Sequence, residues 1–417
     1  MTVVGDDGVA AAIADVGAGR LVVVVDDEDR ENEGDLAMAA DRITPEDVNF
    51  MVTHGRGMVC VAMEGGRLDE LGLHAMVDDN TSSLGTAFTV TVDAVGHGVT
   101  TGISAFDRAT TIRLLCDERT KPGDLARPGH VSPVRARPGG VLERAGHTEA
   151  IVDLCKLAGR YPAGVMCEVM RADGSMARRP DLEAFAVEHG LRLITITELI
   201  AHRRRNERLV ARRETTRIPT IHGTFTLHGY EDVITHATHL ALTLGEVTGG
   251  EPVLVRVHSE CLTGDALGSQ RCDCRAQLEK AMAIIGKEGR GILVYLRQEG
   301  RGIGLMDKLH AYALQDGGLD TVDANAHLGH PADKRDYGIG QQIIADLGVS
   351  RIRVLTNNPR KYYGLRGYGL EVVEQIPLVM PMTDENRHYL ETKRDRMGHI
   401  FDGLVPDSDT AEEHAGS

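Results

Sequence analysis

Residues 258–274 read HSECLTGDALGSQRCDC. The stretch before it, Pro252–Val257, is an apolar-rich run of strand length, and Ala276–Ile285 after it has helical period. The segment therefore joins a strand to a helix. It carries Cys261, Cys272 and Cys274 at C-x10-C-x-C spacing. Three thiolates so spaced can hold zinc and leave one tetrahedral position open, as catalytic sites do, whereas structural sites are closed by four ligands. Zinc lowers the pKa of bound water to about 7, so an open site points to hydrolysis. His258 could instead close the site as a fourth ligand and make it structural. The spacing leaves both readings open.

Reading outward, Gly291–Leu296 is a further strand, followed by Arg297-Gln298-Glu299-Gly300-Arg301-Gly302-Ile303-Gly304. Glycines let backbone approach a ligand closely, and Arg256 and Arg301 offer forked donors for phosphate oxygens. Beyond lie Ala332-Asp333-Lys334-Arg335-Asp336-Tyr337 and a strand at Ile352–Leu355. In order and spacing, HSECLTGDALGSQRCDC, YLRQEGRGIGL, DKRDYGIG and LTNNPRK resemble GTP cyclohydrolase II across nearly the whole of residues 206–400.

The resemblance implies a zinc enzyme that opens the imidazole ring of GTP. It would release formate and pyrophosphate and leave 2,5-diamino-6-ribosylamino-4(3H)-pyrimidinone 5′-phosphate. Carried over, Cys261, Cys272 and Cys274 would bind one zinc ion. Arg256, Val257, His258, Ser259, Glu260, Gln277, Glu299, Gly300, Arg301, Thr321, Thr356 and Lys361 would contact GTP. Gln277 and Glu299 suit the guanine edge, and the cations suit the triphosphate. Tyr312 would lie near the reacting ring, with Asp333 as proton acceptor and Arg335 as nucleophile at the α-phosphate. A guanidinium with a pKa above ~12 is a poor nucleophile. Electrostatic stabilisation of the α-phosphate as pyrophosphate leaves asks less of Arg335.

The first half opens differently. Leu21–Val25 is a buried-strand pattern, and DDEDRENEGD follows it directly at residues 26–35, with seven carboxylic acids in ten positions. Crowded carboxylates repel, and a divalent cation relieves that. Hard oxygen donors favour magnesium or manganese over zinc. Arg144-Ala145-Gly146-His147-Thr148 stands at the start of a predicted helix running to Gly159, where free N–H groups suit phosphate. His130, in RPGH, could join them.

DDEDRENEGD, TTGISAFDRATT, RPGHVSPVRA, RAGHTEA and CEVM resemble 3,4-dihydroxy-2-butanone 4-phosphate synthase over residues 1–200. That resemblance implies conversion of ribulose 5-phosphate to L-3,4-dihydroxy-2-butanone 4-phosphate and formate. Glu31 and His147 would hold Mg²⁺ or Mn²⁺. Arg30, Glu31, Asp35, Arg144, Ala145, Gly146, His147, Thr148 and Glu168 would hold the substrate, and Glu168 and His130 would move protons. Ser132-Pro133-Val134 stands where the family usually has Phe-Pro-Leu, a smaller side chain beside His130.

Taken together the chain resembles the bifunctional enzymes of riboflavin biosynthesis, a lyase joined to a hydrolase, with homodimers implied by both families. Two alternatives are an active cyclohydrolase on a catalytically weak first domain, and a zinc-stabilised GTP sensor. The expected fold is α+β: two different domains, each a mixed sheet with packed helices. The first spans 1–200 and the second 206–402. The arginine-rich segment 201–219 reads as a linker overlapping the second domain, and 403–417 as a disordered acidic tail.

The bulk numbers agree. Of 417 residues 42% are hydrophobic, enough for two cores, but only 4% are aromatic and none is tryptophan, so the cores are aliphatic. A net charge of −16 opposes binding to nucleic acid, and leaves small phosphorylated substrates open because local arginines can invert the field in a cleft. The opening MTVVGDDGVA has neither a basic nor an apolar signal region. No apolar run approaches the ~20 residues of a membrane helix. The expected location is the cytoplasm, and the odd count of seven cysteines argues against a disulfide framework.

Overall fold

The computed structural model describes residues 6–28, 30–82, 84–317, 319–330, 338–357, 370–378 and 380, with backbone alone at 6, 7, 301, 321 and 322. The chain divides into two compact units, Met1–Asn206 and Glu207–Ser417. Among the described residues no helix is long and apolar enough to cross a membrane.

The first unit contains, in order, α1 Asp6–Gly17, β1 Val22–Val25, β2 Gly34–Ala39, α2 Pro45–Phe50, β3 Cys60–Glu64, α3 Gly65–Glu70, β4 Val92–Ala94, α4 Ala105–Cys116, β5 Leu125–Ala136, α5 His147–Leu157, β6 Ala163–Glu168, α6 Arg179–His189, β7 Arg192–Thr195 and α7 Ile196–Asn206. Its seven strands form one sheet in the order β4-β5-β3-β6-β2-β1-β7. Pairing is parallel for β3 with β5 and β1 with β7, and antiparallel elsewhere. Strand alternation sorts side chains to two faces. Val23, Val25, Leu36 and Met38 join the core under α2, α4 and α6, while Val22, Val24, Ala37 and Ala39 join the core under α1, α5 and α7. Helices thus cover both faces, which is why Val22–Val25 is buried throughout.

Local signals behave as expected at several ends. Thr44 caps α2: its hydroxyl accepts from Asp47 N at 3.2 Å, and the Asp47 carboxylate accepts from Thr44 N at 3.0 Å, a reciprocal box that satisfies two free donors. α5 packs so closely on β6 that a Cβ on Gly164 would stand 2.1 Å from Ile151 Cγ1. The expected strand at Thr86–Val95 is shorter than its alternation suggests. Phe88 and Thr89 make single bridges and only Val92–Ala94 forms a strand.

In the second unit the elements are β8 Val210–Thr220, β9 Gly223–Asp232, β10 Thr238–Leu244, β11 Val253–Ser259, α8 Cys274–Glu288, β12 Gly291–Leu296, α9 Leu305–Asp316, α10 Thr321–His327, α11 Gly338–Asp346, β13 Arg351–Leu355 and β14 Glu371–Ile376. The sheet order is β14-β13-β11-β12-β10-β9-β8. β14, β13, β11 and β12 are mutually parallel, and β10, β9 and β8 continue antiparallel. Both sheets are mixed and carry helices, as the sequence predicts.

The arginine-rich segment, expected as a linker overlapping the second domain, contains the boundary between the two units and carries regular structure on either side of it. Residues 201–206 end α7 and 210–220 form β8. β8 is an edge strand, and its residues Arg213–Arg217 are exposed. Charged side chains are tolerated on such an edge, so the apolar alternation that would have revealed the strand is missing. Residues 403–417 lie outside the described residues.

Candidate active sites

In the second unit, β11 and β12 run parallel with Ser259 opposite Leu296, so the segments after both strands leave the same edge of the sheet. In open α/β sheets ligands bind beyond the carboxyl ends of such strands. One segment carries Cys261, turns once through Leu262–Ala266, and enters α8 at Cys274. The other is the glycine-rich turn Glu299–Gly302.

The ligand atoms of Cys261, Cys272 and Cys274 all lie within 4.8 Å of one another. The Cys261 and Cys272 sulfurs are 3.6 Å apart. Two sulfurs each ~2.3 Å from one tetrahedral ion would stand about 3.8 Å apart, so the trio fits zinc. Gly264 keeps the cradle open: a Cβ there would lie 2.9 Å from Cys272 Sγ and 3.1 Å from Cys261 Sγ. Hydrogen bonds from Cys272 and Cys274, with Lys308 nearby, hold Cys261 far below an ordinary thiol. The Cys261 thiolate in turn pushes Cys272 up to about 11 and Cys274 higher than a free thiol.

Asp265 ties this loop down. Its carboxylate accepts from Cys261 N at 3.0 Å and from the Tyr295 hydroxyl at 2.9 Å, and it meets His258 Nε2 at 3.1 Å. Among the described residues of this unit the metal-sized group consists of the three cysteines, and His258 Nε2 is turned to Asp265. Tyr312 stands beside the trio. Its hydroxyl is 3.3 Å from Thr263 Oγ1, which is 3.6 Å from Cys261 Sγ, and Arg271 lies 5.0 Å over its ring.

The expected substrate residues divide. Arg256 is buried and donates to Leu355 O at 2.9 Å and Gln277 Oε1 at 2.5 Å, and Gln277 donates on to Asp273. Glu299 accepts from Lys308 Nζ at 2.7 Å, Leu262 N at 2.6 Å and Gly300 N at 2.9 Å. These side chains therefore also brace the loops from within. Val257 and Ser259 lie along β11, and Glu260 follows it with its N–H donating to Leu296 O at 2.7 Å. Thr356 follows β13, parallel to β11 and so at the same edge. Arg301 and Thr321 are described by backbone only, in the glycine-rich turn and at the start of α10. Asp333, Arg335 and Lys361 lie outside the described residues.

In the first unit, the antiparallel register sets Asp35 directly opposite Glu168. Both project to the face covered by α5, because Ala37 and Met166, two residues along, pack in the core beneath it. α5 begins at His147, with Gly146 as its cap. His147 Nδ1 is 3.4 Å from Glu31 Oε2. Ligand atoms of Asp26, Glu31 and His147 all lie within 4.8 Å of one another. Among the described residues the buried His147 Nε2 has no hydrogen-bond partner. Two carboxylates and an imidazole with an unsatisfied ring nitrogen fit a divalent cation.

Asp26 also organises the acidic loop, accepting from Arg30 Nη1 at 2.8 Å, Glu31 N at 3.1 Å and Glu33 N at 2.9 Å. The hydrogen bond from His147 holds Glu31 below the usual carboxylate range. Burial, with Glu168 behind it and His147 opposing, pushes Asp35 up to about 7. Burial lowers His147, but Asp35 and the bond to Glu31 outweigh it and bring it up to about 9.

Arg144 reaches Glu149 Oε2 at 2.7 Å and Thr86 Oγ1 at 3.3 Å. Ala145 precedes the Gly146 cap, and Thr148 is buried in the first turn of α5. Met58 N donates to Glu168 Oε2 at 2.7 Å. His130 sits in an excursion of β5 at the β4 edge, between the pairings Val92↔Val131 and Asp93↔Ala126. Its backbone N–H donates to Asp93 Oδ1 at 2.9 Å and its Nδ1 meets Asp93 Oδ2 at 2.7 Å. Asp93, rather than residue 132, therefore orients this ring, while Ser132 is buried opposite Cys60.

Sequence reasoning missed Asp26, Asp93, Asp265 and Lys308. Asp26 and Asp265 lay inside the quoted motifs, and Lys308 one helical turn before Tyr312, where i,i+4 neighbours share a face. Asp93 stands 37 residues from its partner His130 and has no local signal.

The two sites define a protein with two chemically separate centres, a carboxylate–imidazole cluster on one mixed sheet and a thiolate trio on another. Residues 10–202 match the 3,4-dihydroxy-2-butanone 4-phosphate synthase family and residues 211–377 match GTP cyclohydrolase II. The riboflavin biosynthesis protein RibBA of Synechocystis sp. is 57% identical over 94% of this chain and 71% of its own length. That of Aquifex aeolicus is 56% identical over 94% of this chain and 97% of its own. The crystal structure of RibBX, a two-domain 3,4-dihydroxy-2-butanone 4-phosphate synthase from A. baumannii, is 39% identical with a TM-score of 0.68, covering 89% of this chain and 99% of that one. The chain belongs to the RibBA family of riboflavin biosynthesis proteins, in which a 3,4-dihydroxy-2-butanone 4-phosphate synthase is joined to a GTP cyclohydrolase II.

Proposed function

We propose that each unit performs its reaction at the cluster described above. The first would convert ribulose 5-phosphate to L-3,4-dihydroxy-2-butanone 4-phosphate and formate. The second would hydrolyse GTP to the diaminopyrimidine phosphate, formate and pyrophosphate. The observation that carries this reading is that each unit gathers a metal-sized donor set at one end of its own sheet.

Asp26, Glu31 and His147 would hold magnesium or manganese, and Cys261, Cys272 and Cys274 one zinc ion. When bound, the hard dication acidifies sugar hydroxyls and zinc activates water toward the purine. Asp35, near neutral, can give or take a proton at physiological pH, as a general acid–base group should, and Glu168 lies opposite it across the strand pair. His130, held by Asp93, supplies a second proton carrier. The start of α5 and Arg144 suit the sugar phosphate. In the second unit Tyr312 orders the reacting ring, Asp333 accepts a proton, and Arg301, Arg335 and Lys361 balance the triphosphate charge. A homodimer working in the cytoplasm on these small molecules completes the reading.

The test is metal analysis with two formate assays. Glu31→Ala should abolish formate from ribulose 5-phosphate and spare formate from GTP, and Cys272→Ser should do the reverse. Loss of both activities in either variant would contradict two independent sites.

A further inference from the structure

We propose that Lys308 is a positioning residue of the thiolate centre: its ammonium hydrogen-bonds the Cys261 sulfur, weakening that sulfur as a donor and leaving a bound ion a stronger Lewis acid. The inference rests on reading the cysteine trio as the zinc site.

Lys308 lies on the first turns of α9 and is only 8% exposed. Lysines are almost never so buried unless paired. Its Nζ is 3.2 Å from Cys261 Sγ and 2.7 Å from Glu299 Oε1. Tyr312, one turn further along the helix, has its ring centre 5.6 Å from the same Nζ. Glu299 is itself fixed, accepting from Leu262 N and Gly300 N. Gly300 brings its turn against the lysine stem, since a Cβ there would meet Lys308 Cβ at 3.1 Å. The ammonium therefore cannot swing away from the sulfur without leaving its carboxylate.

The electrostatic need is plain. Three thiolates on a dication leave a net charge of 3 × (−1) + 2 = −1, and surplus anionic charge blunts a Lewis acid. A donor aimed at one sulfur draws charge away from the ion, as outer partners tune metal sites generally. The Lys308 ammonium places a charged donor at that single sulfur. If Lys308 served only as the counter-ion of Glu299, the sulfur would not sense its removal.

Cobalt(II) substituted into the full-length protein reports on the sulfurs directly. In Lys308→Met the sulfur-to-cobalt charge-transfer band should move to longer wavelength, and iodoacetamide should alkylate the metal-loaded protein about tenfold faster, the scale of a lost charge-assisted hydrogen bond. Lys308→Arg should restore most of both. Should Lys308→Met not fold, Lys308→Gln, which keeps a donor for Glu299 but no charge at the sulfur, should show the same two changes. A wild-type band and alkylation rate in whichever neutral variant folds overturns the proposal alone. A wild type that shows no thiolate-to-cobalt band overturns the site reading and this inference with it.

Discussion

Replacing Gly264 by alanine adds one carbon where the thiolate cradle has no room. The new Cβ would stand 2.9 Å from Cys272 Sγ, 3.1 Å from Cys261 Sγ and 3.2 Å from Cys274 Cβ. An unstrained contact needs roughly 3.6 Å, so the Cys272 sulfur must retreat by about 0.7 Å. Metal–ligand distances tolerate ~0.2 Å, and one thiolate is therefore lost or badly placed. Zinc bound by four ligands is worth ~10–16 kcal/mol, so one ligand is worth about 3 kcal/mol, or about 100-fold in affinity. Competition against a chromophoric chelator measures this directly. Formate release from ribulose 5-phosphate, catalysed by the other unit, serves as the folding control. Zinc affinity equal to wild type in Gly264→Ala, with the first activity intact, would refute the claim that this glycine exists to make room for the metal.

Two further outcomes follow from the first unit. His147 holds its proton to about pH 9 against an ordinary 6.5; the stability this contributes to the metal-free protein is complete below pH 6.5 and lost as pH rises through about 9. A cation requires the neutral ring, so its apparent affinity should rise about tenfold per pH unit between 7 and 9. Titrating Mg²⁺ or Mn²⁺ by thermal shift checks this, and a flat profile would remove His147 from the ligand set. Gly164→Ala should cost about 1–3 kcal/mol by overpacking, because its Cβ would fall 2.1 Å from Ile151 Cγ1. Urea unfolding followed in the first unit should show the lowered midpoint, with cyclohydrolase activity unchanged.

What could be read before the fold was known is what depends on near neighbours along the chain. The Thr44-Pro45-Glu46-Asp47 start of α2, the α5 pattern from His147, the β12 strand and the cysteine spacing are all short-range signals, and the structure has them where the chain predicts. β8 escaped because its exposed edge is arginine-rich, and the Thr86–Val95 alternation overstated a strand because only Val92–Ala94 finds a partner over any length.

The chain by itself determined which chemical groups are present: three thiols at metal-binding intervals, a carboxylate-rich loop at a strand end, and a histidine at a helix start. Tertiary structure alone decided which groups meet. Strand register set Asp35 against Glu168, a bulged sheet edge gave His130 its Asp93, and helix α9 brought Lys308 to Cys261. Periodicity and capping act over a few residues, whereas register and packing join positions scores of residues apart, and those distances set the charge at each reacting atom.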